Sequence, residues 1–133
     1  MELDKNATIL VADDDEFYRE IMCTMLNGLG FEHIREAANG REALLVGREC
    51  NPLFALLDIY MPQMNGWEVV EKFKKDLPDT ILLMVSGSSA PEDVDAAFSH
   101  GIDGYFLKPC QSEMLLGVMT KAVELRNKIK RYK

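Results

Sequence analysis

The sequence predicts an α/β fold in which five short strands alternate with five helices. Three continuous apolar runs carry this prediction: "TILVA" (Thr8–Ala12), "PLFALL" (Pro52–Leu57) and "TILLMVS" (Thr80–Ser86). Runs of this kind are typical of strands that are covered on both faces of a parallel sheet. Helical patterns separate them, and right-handed crossovers leave few topologies. We therefore predict a (βα)5 three-layer sandwich with a parallel five-stranded sheet of flavodoxin-like order 2-1-3-4-5.

Weaker patterns supply the remaining elements. "HIREA" (His33–Ala37) and "GYFLK" (Gly104–Lys108) are the expected second and fifth strands. The first helix is expected from four apolar residues at helical spacing: Phe17, Ile21, Met25 and Leu29. The other helices are expected over residues 41–48, 66–75 and 91–100, and from about 112 onward. Pro91 suits the first turn of the helix over 91–100.

Composition limits the class of protein. The 133 residues suit one domain, and 47% hydrophobic with 28% charged residues is ordinary for a globular protein with a core. The apolar runs are too short to span a membrane, and the N-terminus carries acids where a secretory signal needs bases. Three cysteines, odd in number and far apart, predict free thiols in a reducing cytoplasm. The net charge of −7 disfavours direct binding to nucleic acid.

Polar side chains stand where the predicted strands end. Asp13-Asp14-Asp15-Glu16 follows the first strand, Asp58 the third, Ser86 ends the fourth, and Lys108-Pro109 closes the fifth. Each has an ordinary explanation by itself, such as a helix cap or a solvated lysine. In a parallel sheet, however, the carboxyl ends of the strands share one edge, where sites of such folds lie. We therefore expect these groups to form one site.

The donor set indicates phosphoryl chemistry. Clustered carboxylates repel one another and need a cation, and all-oxygen ligands favour a hard ion such as Mg²⁺. A lysine and a hydroxyl nearby suit the oxygens of a phosphoryl group. One carboxylate could then act as the nucleophile that forms an acyl phosphate.

Four motifs closely resemble the receiver domain of bacterial two-component response regulators, the CheY-like superfamily. They are "ILVADDDE", "LLDIYMPQMNG", "MVSG" and "YFLKP", and the resemblance runs in register over about residues 7–124. It implies a phosphorylation-dependent signalling switch that works in a phosphorelay. Such a domain is not an enzyme beyond assisting its own phosphoryl transfer and autodephosphorylation.

The resemblance implies a role for each matching residue at the acidic edge. Asp58 would be the phosphoacceptor, taking a phosphoryl group from a phosphohistidine. Asp13 and Asp14 would hold Mg²⁺ (or Mn²⁺) together with Asp58 and the backbone carbonyl of Tyr60. Lys108 would contact the phosphoryl oxygens.

Further roles implied by the resemblance concern switching and signal lifetime. Ser86 would be the switch hydroxyl, and Tyr105 the aromatic that turns inward behind it. The Lys108-Pro109 bond would be cis. Tyr60 and Ser88 would flank the water that attacks the acyl phosphate, and we expect them to modulate the phosphorylated lifetime.

The implied partners are a sensor histidine kinase or phosphotransfer protein on the input side, and an output domain or effector protein on the other. The output face would comprise the fourth helix, fifth strand and fifth helix, and that face or the C-terminal helix could also support a homodimer. Neither a membrane nor direct nucleic-acid binding by this domain is expected.

We expect the receiver domain to occupy residues 1–124 and a basic helical extension to occupy 125–133. Six bases against one acid fall in the last thirteen residues: Lys121, Arg126, Lys128, Lys130, Arg131 and Lys133, with Glu124. Apolar residues recur in a short heptad-like pattern along the terminal helix, from Leu115 to Tyr132. Two interpretations stay open: a solvated helix end, or the start of a linker helix, dimeric in one version, that leads to an output domain outside this sequence.

Three rival functions use the same fold. A flavin carrier needs a hydroxyl- or glycine-rich phosphate loop after the first strand, where three aspartates stand instead. A phosphatase of the haloacid-dehalogenase-like type needs a second aspartate two residues after the nucleophile, where Tyr60 stands. The third is a receiver that acts without phosphate as a protein-interaction module, and the complete set of site residues disfavours it.

Overall fold

The computed structural model describes residues 3–58, 66–87, 90–109 and 111–131. Its strands are β1 (Ile9–Ala12), β2 (Ile34–Ala37), β3 (Phe54–Leu57), β4 (Ile81–Ser86) and β5 (Gly104–Leu107). Its helices are α1 (Glu16–Gly28), α2 (Gly40–Cys50), α3 (Gly66–Asp76), α4 (Pro91–Ser99) and α5 (Ser112–Arg131). Strand and helix alternate throughout, as the sequence predicts.

The five strands form one parallel sheet of order β2-β1-β3-β4-β5, which confirms the predicted topology. Ala12 pairs with Leu57, and Ser86 pairs with Leu107. The last residues of neighbouring strands therefore stand close to one another, and the residues that follow them meet at a single edge of the sheet.

The sheet separates two hydrophobic cores. On one face, Leu10, Leu57 and Leu82 pack with apolar residues of α2, α3 and α4, including the fully buried Phe73. On the other face, Ile9, Val11, Leu56 and Leu83 pack with residues of α1 and α5, including Met22 and Met119. Alternate residues of each strand face opposite cores, which explains why the strands read as unbroken apolar runs.

The apolar repeat that predicts α1 follows its buried face only in the second half of the helix. Met22 and Leu26 are the buried residues of this helix, whereas Phe17 is 70% exposed and Ile21 37% exposed. An amphipathic pattern locates a helix, but two adjacent apolar stripes leave open which one enters the core. The helix thus presents a second apolar stripe at the surface.

Two side-chain contacts tie the outer helices to their neighbours. The Trp67 ring at the start of α3 stacks on His100 just after α4, with ring centroids 4.5 Å apart. In α5, Arg126 donates to Asp103, which precedes β5, and to the carbonyls of Pro78 and Thr80 ahead of β4. α5 is therefore held beside the amino-terminal edge of the sheet.

Among the described residues, no helix combines the length and hydropathy that a membrane span requires.

Candidate metal and phosphoryl site

The carboxyl-terminal edge of the sheet gathers the predicted site residues. Asp13 follows β1, Asp58 follows β3, Ser86 ends β4 and Lys108 follows β5. Backbone hydrogen bonds extend the ladder past the strands: the Asp58 N–H donates to Ala12 O at 3.0 Å, and the Lys108 N–H donates to Ser86 O at 2.8 Å. The sheet itself thus fixes where these side chains start.

Lys108 joins two of the carboxylates. Its Nζ lies 2.6 Å from Asp13 Oδ2 and 2.8 Å from Asp58 Oδ2. The Asp13 and Asp58 side chains are 4% and 9% exposed, and that of Lys108 is 20% exposed. At these distances and this burial, the ammonium neutralises much of the repulsion between the two acids.

Three carboxylates are placed to hold a cation. One oxygen each from Asp13, Asp14 and Asp58 lies within 4.8 Å of the others. Asp13 and Asp58 are buried and Asp14 is exposed, so the cluster opens to solvent on one side. Hard divalent ions such as Mg²⁺ prefer oxygen ligands and keep several waters, and this open donor set suits that chemistry.

The pKa shifts follow from burial and charge. Burial raises the pKa of Asp13 above its ordinary value, and the hydrogen bonds from Lys108 and the Asp15 N–H oppose this without cancelling it. For Lys108, burial acts to lower the pKa, but the hydrogen bonds to Asp13 and Asp58 outweigh it and hold the pKa above its ordinary value. Lys108 is therefore a cation at neutral pH.

Short-range hydrogen bonds shape the loop after β1. Asp13 Oδ1 accepts from the Asp15 N–H at 2.9 Å. Asp15 is the N-cap of α1, and its Oδ1 accepts from the Phe17 and Tyr18 N–H groups at 3.0 and 3.3 Å. The third aspartate of the run therefore serves the helix rather than the cation cluster, as N-caps commonly do.

Arg19 is a site neighbour that sequence reasoning missed. Its Nη1 donates to the Asp13 carbonyl oxygen at 2.7 Å, and its Nε pairs with Glu36 on β2 at 3.2 Å. The arginine thus braces the Asp13 backbone from α1. Its position one helical turn after the Asp15 cap is a signal that could have pointed to it.

The two predicted switch residues lie on neighbouring strands. Ser86 is fully buried at the end of β4, and Tyr105 is half-buried on β5, where it pairs with Met84. Tyr105 lines a groove of about 540 Å³ with Val94 of α4 and Met114 of α5. The Lys108-Pro109 peptide bond is cis.

Two predicted site residues cannot be compared with the structure. Tyr60, the expected carbonyl ligand, and Ser88, the second expected lifetime residue, lie outside the described residues. Their roles stay predictions. The structure brings together Asp13, Asp14, Asp58 and Lys108, with Ser86 and Tyr105 on adjoining strands.

Comparison with known proteins identifies the class that this fold and site define. The sequence model of the response regulator receiver domain matches residues 9–120, so the chain belongs to that family. It is 29% identical to the chemotaxis protein CheY of Thermotoga maritima over 113 residues, covering 85% of this chain and 94% of that protein. It is 34% identical to a cyclic di-GMP phosphodiesterase of the same organism over 122 residues, covering 92% of this chain but 32% of that one.

Solved structures give the same answer. A CheY-like receiver domain protein from Methanospirillum hungatei JF-1 matches with a TM-score of 0.83 and 29% identity, covering 92% of this chain and 98% of that one. A Burkholderia pseudomallei response regulator with a phosphorylated aspartic acid, calcium ion and citrate matches with a TM-score of 0.79 and 25% identity. That match covers 92% of this chain and 72% of the other. The chain is thus a receiver domain of the two-component class, and it spans about a third of the phosphodiesterase relative.

Proposed function

We propose that this chain is a phosphorylation-dependent signalling switch and that Asp58 is its phosphoacceptor. One observation carries the proposal: Asp58 stands in a cluster with Asp13 and Asp14, and the Lys108 ammonium lies 2.8 Å from its carboxylate. A nucleophile, a cation-binding acid pair and a fixed positive charge are what transfer of a phosphoryl group to a carboxylate requires.

The transfer itself is an in-line displacement. An Asp58 carboxylate oxygen attacks phosphorus, the phosphorus–nitrogen bond to the donor histidine breaks, and that nitrogen keeps the electron pair. Hydrolysis reverses the state: water attacks phosphorus, the bond to the Asp58 oxygen breaks, and inorganic phosphate leaves. Mg²⁺ or Mn²⁺, held by Asp13, Asp14, Asp58 and the Tyr60 carbonyl, would supply positive charge to the phosphoryl oxygens. The solved Burkholderia pseudomallei structure with a phosphorylated aspartic acid supports this assignment by similarity.

Lys108 changes partner in this scheme. Before phosphorylation its ammonium pairs with Asp13 and Asp58. After phosphorylation one Asp58 oxygen is bonded to phosphorus in a mixed anhydride, and the new phosphoryl oxygens replace the Asp58 carboxylate as acceptors for the ammonium. The same ammonium then neutralises the added charge without leaving the site.

Ser86 and Tyr105 would carry the change to the surface. In our proposal the Ser86 hydroxyl bonds a phosphoryl oxygen, and the Tyr105 ring follows into the space behind it. Tyr105 already lies between α4 and α5, where it lines the groove beside Val94 and Met114. The face formed by α4, β5 and α5 is therefore the proposed output surface, read by an effector protein or an output domain.

Incubation with acetyl phosphate and Mg²⁺, followed by a phosphate-affinity gel, tests the proposal. We expect a shifted band for the wild type and none for Asp58→Asn. Asp76→Asn is the matched control, because that carboxylate sits at the end of α3 and pairs with Arg48. A shifted band in Asp58→Asn would contradict the acceptor assignment, and no shift in the wild type would favour the phosphate-independent interaction module.

The C-terminal extension also belongs to the proposal. We infer that the receiver ends near residue 124, apart from the anchoring Arg126, and that the basic residues after Asn127 begin a linker to an output domain. Because Arg126 anchors α5 through Asp103, the truncated chain should end at Asn127 rather than before it. Size-exclusion chromatography with light scattering would compare the untruncated chain with the truncated chain, each with and without beryllofluoride. This experiment tests whether the linker helix forms a dimer. Identical monomers throughout would contradict it.

A further inference from the structure

An aromatic ring is the third contact of the site lysine. Lys108 Nζ lies 4.4 Å from the centroid of the Tyr18 ring. The same nitrogen is 2.6 Å from Asp13 and 2.8 Å from Asp58. Two carboxylates and one ring face therefore surround a single ammonium, at a distance at which cation–π attraction is appreciable.

The backbone of Tyr18 is tied to the loop that carries the cation cluster. The Tyr18 N–H donates to Asp15 Oδ1 at 3.3 Å, within the cap of α1. The half-buried side chain packs against the core between the sheet and α1, and it lines a small cavity with Asp13, Met22 and Val85. Because the cap orders the Tyr18 backbone and the core covers part of its side chain, the ring offers an ordered surface to the flexible lysine.

We propose that Tyr18 is a positioning residue that keeps the Lys108 ammonium beside Asp58. The inference rests on the proposed function, because the position matters when a phosphoryl group arrives at Asp58. Tyr18 touches Lys108 rather than the reacting atoms. Its effect is exerted through that lysine.

The ring differs from the two carboxylates in one respect. A bound divalent cation would share the charge of Asp13 and Asp58 and so weaken their hold on the ammonium. Lysine has a long flexible stem and is easily released to solvent. The attraction of the Tyr18 ring does not depend on the charge of those carboxylates. Tyr18 thus retains Lys108 in the metal-loaded site, where the phosphoryl oxygens need it.

Ring-current shifts test the contact directly. We would label the protein with ¹³C-lysine, identify Lys108 by its loss in Lys108→Arg, and record its side-chain methylene protons with and without Mg²⁺. We expect upfield-shifted protons in the wild type and in Tyr18→Phe, and ordinary lysine shifts in Tyr18→Leu. Phe17→Leu is the matched control, because Phe17 is its 70% exposed neighbour on the same helix. Unchanged Lys108 shifts in Tyr18→Leu would overturn the inference.

Phosphorylation kinetics test the consequence. At saturating Mg²⁺ we expect Tyr18→Leu to react with acetyl phosphate about three- to tenfold more slowly than wild type. Tyr18→Phe should restore the rate, because it keeps the ring face. In a Lys108→Ala background, Tyr18→Leu should cause little further loss, whereas a merely structural role would slow both backgrounds equally.

The two proposals fail differently. If wild type is phosphorylated and Tyr18→Leu matches it in rate, the positioning role is wrong and the function stands. If the wild type accepts no phosphoryl group at all, the function is wrong, and the ring-current shifts alone decide whether Tyr18 holds Lys108. Thermal melts of each variant separate loss of the fold from loss of the contact.

Discussion

Lys108 dominates the charge balance at the carboxyl edge of the sheet. Three carboxylates stand there, and its ammonium lies within 2.8 Å of two of them. Removing the ammonium leaves the acids more repulsive and the site more attractive to a metal cation. In the proposed function, the lysine and a bound Mg²⁺ therefore compete for the same oxygens before phosphorylation.

This competition predicts that Lys108→Met binds Mg²⁺ roughly tenfold more tightly than wild type, although it is phosphorylated more slowly. Methionine keeps a long apolar side chain and removes only the charge. Isothermal titration with MgCl₂ measures the affinity, with Lys128→Met on the exposed side of α5 as the control. Weaker or unchanged binding in Lys108→Met would contradict the charge argument.

Burial also changes the pKa of a side chain outside the site, the thiol of Cys23. Burial raises the pKa of its thiol from 9.0 to about 11, with Glu36 adding to the shift and Arg19 opposing it. A raised pKa means less thiolate at a given pH, about one part in a thousand at pH 8. We expect the variant with Cys50→Ser and Cys110→Ser to be alkylated by iodoacetamide slowly at pH 8, with a rate that climbs up to about pH 11. Rapid alkylation at pH 8 would show that Cys23 is not protected.

At the scale of elements, α2 and α3 depend on a close approach at Gly47. A Cβ at this position would lie 2.7 Å from Cζ of the buried Phe73 and 3.2 Å from Leu77 Cδ1. Because the Phe73 ring is fully buried and has no room to withdraw, the two helices would have to move apart. The glycine is thus a packing requirement inside a helix.

We predict that Gly47→Ala destabilises the fold by about 1–3 kcal/mol through overpacking. Gly117→Ala in α5 is the matched control, because a Cβ there meets nothing within 4 Å. It should stabilise the protein by about 0.5–1 kcal/mol, since alanine is the better helix former. Urea unfolding followed by circular dichroism measures both. Equal effects of the two substitutions would refute the packing argument.

α5 is anchored by an ion pair between Arg126 and Asp103, and Asp103 also accepts a hydrogen bond from the backbone of β4. Asp103 Oδ1 and Oδ2 accept from Arg126 Nε and Nη2 at 2.9 and 3.0 Å, and Asp103 Oδ2 also accepts from the Leu82 N–H at 2.9 Å. The hydrogen bond with Asp103 raises the pKa of Arg126, which therefore stays charged. Both side chains are mostly buried. One arginine thus links the last helix to the start of two strands.

Arg126→Met should lower the free energy of unfolding by about 2–4 kcal/mol, because it leaves Asp103 buried without its cation. Lys128→Met, two residues further along the helix, should be nearly neutral. In Asp103→Asn the arginine substitution should matter less, which a double-mutant cycle would detect. A neutral Arg126→Met would mean that the basic end of α5 is only solvated.

For the whole molecule, the proposed binding of Mg²⁺ would be coupled to the stability of the fold. An ion that binds only the folded protein raises its stability with concentration, by about 1.4 kcal/mol at ten times the dissociation constant. We predict that Mg²⁺ raises the melting temperature and that Asp14→Asn reduces this rise. Because Asp14 is exposed, its substitution should hardly change the metal-free melting temperature. Calorimetry with EDTA and with MgCl₂ checks this, with the exposed Glu20→Gln as control.

Much of the architecture follows from local sequence because a doubly covered parallel sheet leaves a simple signature. Unbroken apolar runs mark β1, β3 and β4, and the strand ends bring Asp13, Asp58 and Lys108 together by topology alone. The position of the site is therefore a consequence of the fold. The observed bounds of the strands and helices differ from the expected ones by no more than two residues.

The contacts that the sequence did not reveal all depend on which face of a helix packs against the sheet. Phe17 belongs to the apolar repeat that predicts α1 but is exposed, whereas Met22, which lies outside that repeat, is buried. Arg19, Tyr18 and Arg126 look like surface residues in the sequence. Arg19 and Tyr18 contact groups that follow strands, and Arg126 contacts groups that precede them. Such pairings depend on the rotation of α1 and α5 about their axes, which local patterns do not determine.

Chemical trapping of the acyl phosphate tests the central assignment most directly. The protein would be incubated with acetyl phosphate and Mg²⁺, treated with sodium borohydride, which reduces an aspartyl phosphate to homoserine, and mapped by peptide mass spectrometry. We predict homoserine at position 58 and nowhere else, and its absence when Mg²⁺ is replaced by EDTA. Homoserine at Asp13, Asp14 or another acid, or its absence despite a phosphorylated protein, would contradict the account.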